Sequence, residues 1–469
     1  MKKYRYLLKN IGLLTISSFG TKLISFFFVR LYTSVLSTSD YGKYDLITTT
    51  VGLLLPILTI NIQDGVLRFS LNESKEKDVQ IFSYGVQLVG ISSIIICIFT
   101  WINSYFDWVD VIAEYPFFFV LLYVVTAYNQ IFLNFARGID KVADVSIAGV
   151  LSGLTGCLLN VWLLLYVKLG LTGYFIAMIS GAVVPCIYLT VRLHIRQYLS
   201  FHGIEKQLRS DMLSYSAPLV LNAIAWWVNN ASDRYVVTWL CGVAANGIYS
   251  VAYKIPSIIN VFQTIFNQAW VLSSVREFDP EDKDGFFVNI YNVYECLMVG
   301  VCAFLIFLTK PLAKFLYAKE FYTAWMYVPF LTIAVVFGAL SGLIGGVFAA
   351  AKDSKIFSIS TIIGAAVNTA LNIILVLLMG PIGAAIATAV SFIVVWVIRL
   401  LNVKRHMNLR VHLVRDIASY IGLGILTLLL YVPINTIAYI GCSAAVIVVM
   451  IYLYRSEVGQ VVRKFLHKA

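Results

Sequence analysis

The chain has 469 residues, of which 60% are apolar, 14% aromatic and only 13% charged, and its 35 Lys+Arg outnumber 24 Asp+Glu for a formal net charge of +11. A soluble domain is about 45–50% apolar and about 25% charged, so this chain has too little polar surface to coat a water-facing globule. Disorder, a collagen-like repeat and a soluble enzyme are excluded, and the basic excess reads as orientation in a bilayer rather than nucleic-acid binding, because it falls mostly between apolar runs.

A helix needs roughly 20 apolar residues to cross a hydrocarbon core of about 30 Å. Fourteen stretches qualify, at about 10–36, 41–69, 79–103, 112–136, 142–167, 171–195, 213–240, 244–273, 285–309, 325–350, 356–379, 382–402, 414–432 and 434–454. Lys2 and Lys3 followed by the apolar run from Ile11 resemble a signal sequence. No small-residue cleavage site follows, so this run reads as a first span that stays. Strand-like alternation is absent, which leaves helices as the spanning elements.

Placing the amino terminus in the cytoplasm puts 26 Lys and Arg in inner segments and five (Lys43, Lys168, Lys310, Lys314, Lys319) in outer ones. The positive-inside rule then sets both termini inside. The outer loops near 104–111 and 310–324 are too short for a folded catalytic domain. The seven cysteines are odd in number, lie mostly in apolar runs and form no CxxC pair, which argues against a disulfide framework or a zinc site.

An internal repeat divides the chain. Tyr41-Gly42-Lys43-Tyr44 aligns with Asn246-Gly247-Ile248-Tyr249 at an offset of 205; Ser146-Ile147 aligns with Ser358-Ile359, and Leu159-Asn160 with Leu371-Asn372, at 212. Gly170 and Gly173 then meet Gly380 and Gly383. Each copy holds six spans, an even number, so the copies should share one orientation, as in parallel-repeat transporters. The expected division is an N-lobe at 1–208, a C-lobe at 209–405, and a terminal pair with a basic tail at 406–469.

Charges inside spans are functional candidates by default, since each costs a few kcal/mol to insert. Lys22 and Arg30 fall in span 1, Arg234 in span 7 and Lys254 in span 8. Spans 1 and 7 are repeat equivalents, as are 2 and 8, so one reading is a cationic cleft gripping an anionic headgroup such as a diphosphate. The competing reading has these residues snorkelling or pairing within the bundle. Arg68 joins the candidates, although its i,i+4 spacing from Asp64 also suits an ordinary helix pair. Asp233 and Glu295 could hold a coupling H⁺ or Na⁺, or form structural ion pairs. Asn61, Gln63, Asn260, Gln263, Asn267 and Gln268 could line a glycan path, or hydrogen-bond between helices. No Walker sequence, metal cluster or nucleophile triad occurs, so no cofactor and no metal site is expected.

Asn229-Asn-Ala-Ser-Asp233-Arg234-Tyr235, followed by Gly242 and Asn246-Gly247-Ile248-Tyr249-Ser-Val-Ala-Tyr-Lys254, resembles the Wzx-type polysaccharide flippases of the multidrug/oligosaccharidyl-lipid/polysaccharide (MOP) exporter superfamily. Ser39-Asp-Tyr-Gly42-Lys-Tyr44, the Asn368/Asn372 pair and Gly380-xx-Gly383-Ala-Ala are similar to that family's pattern, and the likeness covers nearly the whole chain. The fold expected is an all-α polytopic membrane protein, MATE/MOP-like, with about 14 transmembrane helices in two six-helix lobes plus a carboxy-terminal pair. The resemblance implies translocation of undecaprenyl-diphosphate-linked oligosaccharide to the outer leaflet for O-antigen, capsule or a similar polymer. It implies a bacterial plasma membrane location, membrane lipids and polysaccharide polymerase machinery as partners, and a cationic cavity carried by Lys22, Arg30, Arg234 and Lys254. The rival readings are a lipid II flippase, a cation-coupled drug exporter and, opposed by the short loops, a membrane glycosyltransferase.

Overall fold

The computed structural model describes residues 26–459 apart from 72, 201–202, 277, 352 and 410. Among the described residues the regular elements are all helical. Contacts divide the chain into two compact units, Met1–Ala231 and Ser232–Ala469.

The first unit contains α1 (Val29–Val35), α2 (Thr38–Leu58), α3 (Ile62–Phe69), α4 (Lys75–Phe106), α5 (Asp110–Glu114), α6 (Pro116–Gly138), α7 (Val142–Val161) and α8 (Gly170–Arg192). Helix α9 (Lys206–Cys241) begins in this unit and ends in the second. The second continues with α10 (Val243–Ala252), α11 (Ser257–Arg276), α12 (Phe286–Phe307), α13 (Thr309–Leu316), α14 (Val328–Ala350), α15 (Ser354–Met379), α16 (Pro381–Val403), α17 (Leu413–Tyr431) and α18 (Thr436–Leu453). The repeat is visible in the helix starts: α6 and α14, and α7 and α15, each begin 212 residues apart.

Ten of the described helices are long and apolar enough to cross a membrane, or eleven if the bent pair α2 and α3 forms one span. This multi-pass count, made on the described residues, does not confirm the expected fourteen, and the reasons are local. Most of the first expected span precedes residue 26. Helix α9 carries Asn222, Asn229, Asn230, Asp233 and Arg234 and is not apolar enough to qualify by composition. The eighth span is two helices, α10 and α11, parted by a turn at Tyr253–Pro256. Pro256 has no N–H to donate and disfavours helix in the residue before it, which accounts for the interruption.

The break between α2 and α3 has a different cause. Ser37 and Asp40 start α2 with a reciprocal capping box, Asp40 N donating to Ser37 Oγ at 3.0 Å and Ser37 N to Asp40 Oδ2 at 3.2 Å. Past Pro56 the chain turns through left-handed conformations at Ile60 (φ 53°) and Asn61 (φ 52°), and α3 leaves at 59° to α2. Asparagine tolerates that region; a β-branched isoleucine does so only under strain.

Burial distinguishes the spans of the second unit. Two thirds (67%) of the apolar window of α14 is buried, against 11% for α18, so α14 is the central helix and α18 turns most of its surface to lipid. Close packing around α14 depends on Gly346, where an added Cβ would collide with the Trp270 indole. That indole sits in the gap and donates Nε1–H to Leu343 O at 2.9 Å. Arg399, counted above among inner-loop charges, instead lies in α16 and is 5% exposed. Its guanidinium donates to Ser360 Oγ (2.9 Å), Ser341 O (2.8 Å) and Thr361 Oγ1 (2.9 Å), and lies 4.2 Å from the Phe357 ring centre. Neutral acceptors on α14 and α15 thus hold a buried cation and lash three helices together.

The seven cysteines are all free thiols.

Candidate functional site

Asp233 is the most heavily hydrogen-bonded of the expected site residues. It lies on α9 in the second unit and is 2% exposed. Its Oδ2 accepts from Tyr249 Oη at 2.6 Å and Tyr253 Oη at 2.5 Å, and from Thr388 Oγ1 at 3.5 Å; its Oδ1 accepts the Arg234 backbone N–H at 3.0 Å. Tyr249 and Tyr253 are one helical turn apart, so α10 presents both phenols to one carboxylate before the chain breaks. Arg234 places its guanidinium 5.3 Å from the centre of the Tyr253 ring. Asp233 and Arg234 are consecutive, and their side chains diverge as the helix geometry requires.

A polar chain continues from Asp233 into α15 and α16. Thr388 accepts from Asn368 Nδ2 at 3.4 Å, Asn368 Oδ1 accepts from Asn372 Nδ2 at 2.8 Å, and Asn368 Nδ2 also reaches Ser391 Oγ at 3.3 Å. Asn372 is fully buried, and its Oδ1 has no hydrogen-bond partner among the described residues. A carboxylate, hydroxyls and an amide carbonyl form a hard-oxygen set, the donor chemistry of a proton or an alkali cation.

Lys254 occupies the turn between α10 and α11, half-buried, and among the described residues no carboxylate approaches its Nζ within 4.0 Å. On α11, Asn260 is exposed, while Gln263 and Asn267 bring their amides up to Gly342 of α14. These three share the i, i+3, i+7 face that the glycan-path reading requires. The Gln268 side chain lies outside the described residues, as does Lys22.

In the first unit Arg30 is exposed on α1 and Arg68 is exposed in the last turn of α3. The spacing of Asp64 and Arg68 suggested a helix pair, yet Asp64 Oδ2 accepts from Asn61 Nδ2 at 2.6 Å instead. Gln63 Nε2 donates to Asn61 Oδ1 at 2.6 Å. Asn61 and Gln63 therefore satisfy one another at the break, through side chains alone.

Glu295 on α12 is fully buried, far from solvent but not alone. Arg415 of α17 reaches Glu295 Oε2 at 3.4 Å, Asn292 Oδ1 at 2.8 Å and Asp416 Oδ1 at 2.8 Å, and also pairs with Glu457. Arg415, expected in an inner loop, belongs to the first turn of a span. Beside this cluster an apolar groove of about 760 Å³ runs between α12 and α18, lined by Val293, Cys296, Phe304, Ile447 and Met450.

Residues 7–271, more than half of the chain, match the family described as polysaccharide biosynthesis protein. The chain belongs to that family. No curated protein matches it in sequence. Among solved structures, it is similar to the lipid II flippase MurJ in an inward closed conformation, with a TM-score of 0.72 at 14% identity over 97% of this chain and 99% of that one. It is also similar to an inward-facing multidrug resistance MATE family transporter of the MOP superfamily, with a TM-score of 0.69 at 14% identity over 82% and 95%. A MOP superfamily transporter from Pyrococcus furiosus, whose binding pocket is described as reversed in polarity, matches at a TM-score of 0.58, with 13% identity over 85% and 96%. At these identities the likeness is one of fold. The fold is the one shared by those MOP superfamily transporters and MurJ.

Proposed function

We propose that this protein flips undecaprenyl-diphosphate-linked oligosaccharide from the cytoplasmic to the external leaflet by alternating access, supplying a surface polysaccharide such as O-antigen or capsule. The observation that carries this reading is Lys254: an amine in a span, at a helix break, with no carboxylate beside it among the described residues. A half-buried amine inside a span is costly without a counter-ion, and a diphosphate would supply that counter-ion. Arg234 stands on the neighbouring helix, and Arg30, Lys22 and Arg68 are the basic residues of the first unit assigned to the same ligand. Asn260, Gln263 and Asn267, with Gln268, are the glycan-facing set; Asn61 and Gln63 are weaker members because they bond each other. The polyprenyl tail stays in lipid.

Asp233 is the proposed coupling site for H⁺ or Na⁺. The buried Asn372 carbonyl oxygen supports it, since an acceptor without a donor is suited to a cation. In this reading the protein sits in a bacterial plasma membrane with both termini inside, and passes its cargo to the polymerase machinery.

Mass spectrometry of polyprenyl-linked glycans in a deletion strain tests the proposal. One complete, unpolymerised repeat unit on undecaprenyl diphosphate should accumulate, and wild-type protein but not Lys254→Ala should clear it. Accumulation of lipid II would reassign the cargo, and unchanged glycolipids with normal surface polymer would refute the flippase.

A further inference from the structure

The Glu295 cluster has more acid than its arginine can balance. Glu295 and Asp416 are 0% and 1% exposed, and Glu457 is 7% exposed. Among the described residues one guanidinium, Arg415, contacts all three carboxylates. Fully ionised, the group would carry a net charge of −2 away from water, and buried uncompensated charge is strongly disfavoured.

The contacts show where the imbalance is concentrated. Glu295 Oε2 and Asp416 Oδ1 converge on one nitrogen, Arg415 Nη2, at 3.4 and 2.8 Å. Two buried carboxyls sharing one site disfavour ionising together, which favours a proton on one of them. Tyr420 Oη donates to the other oxygen of Glu295, and Ser419 Oγ lies 3.0 Å from Tyr454 Oη. The titratable groups facing the pair are Tyr291 and Cys296 from α12, His412, Arg415 and Tyr420 from α17, and Tyr454 and Glu457 from the end of α18. From α16 the Trp396 indole donates to Tyr291 Oη at 3.2 Å, and from α14 the Phe337 ring lies 4.8 Å from that of Tyr420. Aromatic rings thus flank the pair on that side.

We propose that Glu295 and Asp416 form a binding site for a single shared proton, and that its release loosens α17 and α18 from α12. On release the proton passes to water and leaves two carboxylates facing each other, with Glu457 nearby and, among the described residues, Arg415 alone to offset them. Like charges at that distance repel, and α12 and α17 are the elements they would separate. The site differs from Asp233 in position and in chemistry: it is a carboxyl pair rather than one carboxylate among hydroxyls. It stands whether or not the transported lipid is the one proposed above.

The test uses the full chain in lipid nanodiscs and infrared spectroscopy across a pH series. Wild type should show the carbonyl stretch of a buried protonated carboxylic acid at neutral pH, fading at alkaline pH, and Glu295→Gln and Asp416→Asn should each abolish it. Absence of the band from wild type, or its persistence in both variants, overturns the site; should neither variant fold, the wild-type titration alone decides. Hydrogen exchange tests the second half. Amides of α17 should exchange faster as the band fades, beyond the chemical effect of pH, and those of Glu295→Gln should not. Exchange unchanged in wild type while the band disappears overturns the loosening.

Discussion

The two copies of the repeat place different chemistry at the same address. In the second unit, α9 and α10 enclose Asp233 between Tyr249 and Tyr253. In the first, the offset of 205 sets Phe28 opposite Asp233 and Tyr44 opposite Tyr249. There Tyr44 packs on Tyr174 (ring centres 4.3 Å apart) and Tyr32 on the same ring (4.7 Å), an aromatic cluster beside the buried Asp45. Asn160 and Asn372, also repeat equivalents, are both fully buried, each with an Oδ1 that lacks a hydrogen-bond partner among the described residues. The framework is shared, while the position of Asp233 carries a carboxylate in the second copy and a phenylalanine in the first.

The largest effect expected from this comparison is on transport. Asp233→Asn should lower transport by about tenfold or more, in the usual range of coupling energies, whereas Tyr44→Phe in the first unit should leave it nearly unchanged. Export of surface polymer in a complemented deletion strain measures both; equal losses would erase the distinction. A stability contrast comes next. Arg399→Met removes the guanidinium's hydrogen bonds to Ser360, Thr361 and the Ser341 carbonyl inside the second unit, a cost of about 1.5–3 kcal/mol for hydrogen bonds to a charged group. Its thermal unfolding temperature should fall, and Arg399→Lys should recover only part of it, because an ammonium cannot reproduce the guanidinium fork. Gly346→Ala should cost about 1–3 kcal/mol by forcing the Trp270 indole from its seat, seen as a changed tryptophan emission together with a lower midpoint.

The smallest effect concerns the loop between α14 and α15. His406 Nε2 lies 2.8 Å from Asp353 Oδ2. Desolvation pushes the Asp353 carboxyl up, but hydrogen bonds from His406 and from the Ile356 and Lys355 N–H groups outweigh it and hold the group below its usual range. A depressed carboxyl stabilises the fold above its unfolded pKa and loses that contribution as pH falls through the folded value. The stability gap between wild type and Asp353→Asn should therefore be small near neutrality and close below about pH 4. A gap that widened on acidification would reverse the assignment.

Much of the architecture was legible because it rests on composition and period. Apolar length marked the spans, and the offset of 212 found in Ser146/Ser358 reappears in the starts of α6 and α14. Asp233 and Glu295 could be picked out as acids in apolar runs. Their partners could not, because Thr388 is 155 residues from Asp233 and Arg415 is 120 from Glu295. No local pattern encodes such distances. The break in the second span was not legible: Pro56 sits inside α2 without ending it, and the turn falls instead at Ile60 and Asn61. Arg399 was read as an interfacial charge because a basic residue in the last turn of a span looks the same whether it faces water or protein.

That misreading has a consequence for how the chain is made. In the orientation proposed above, Arg399 and Arg415 are ordinary exposed cations during insertion, before any helix has neighbours, and add to the positive charge retained on the inner side. Only after packing does one vanish among serine and threonine oxygens and the other among carboxylates. The same two residues therefore act twice in succession, first as orientation signals for the nascent chain and then as interior fasteners. A neutral replacement at either position would be exposed to failure at both stages of biogenesis, and pulse labelling of topology would separate the early fault from the late one.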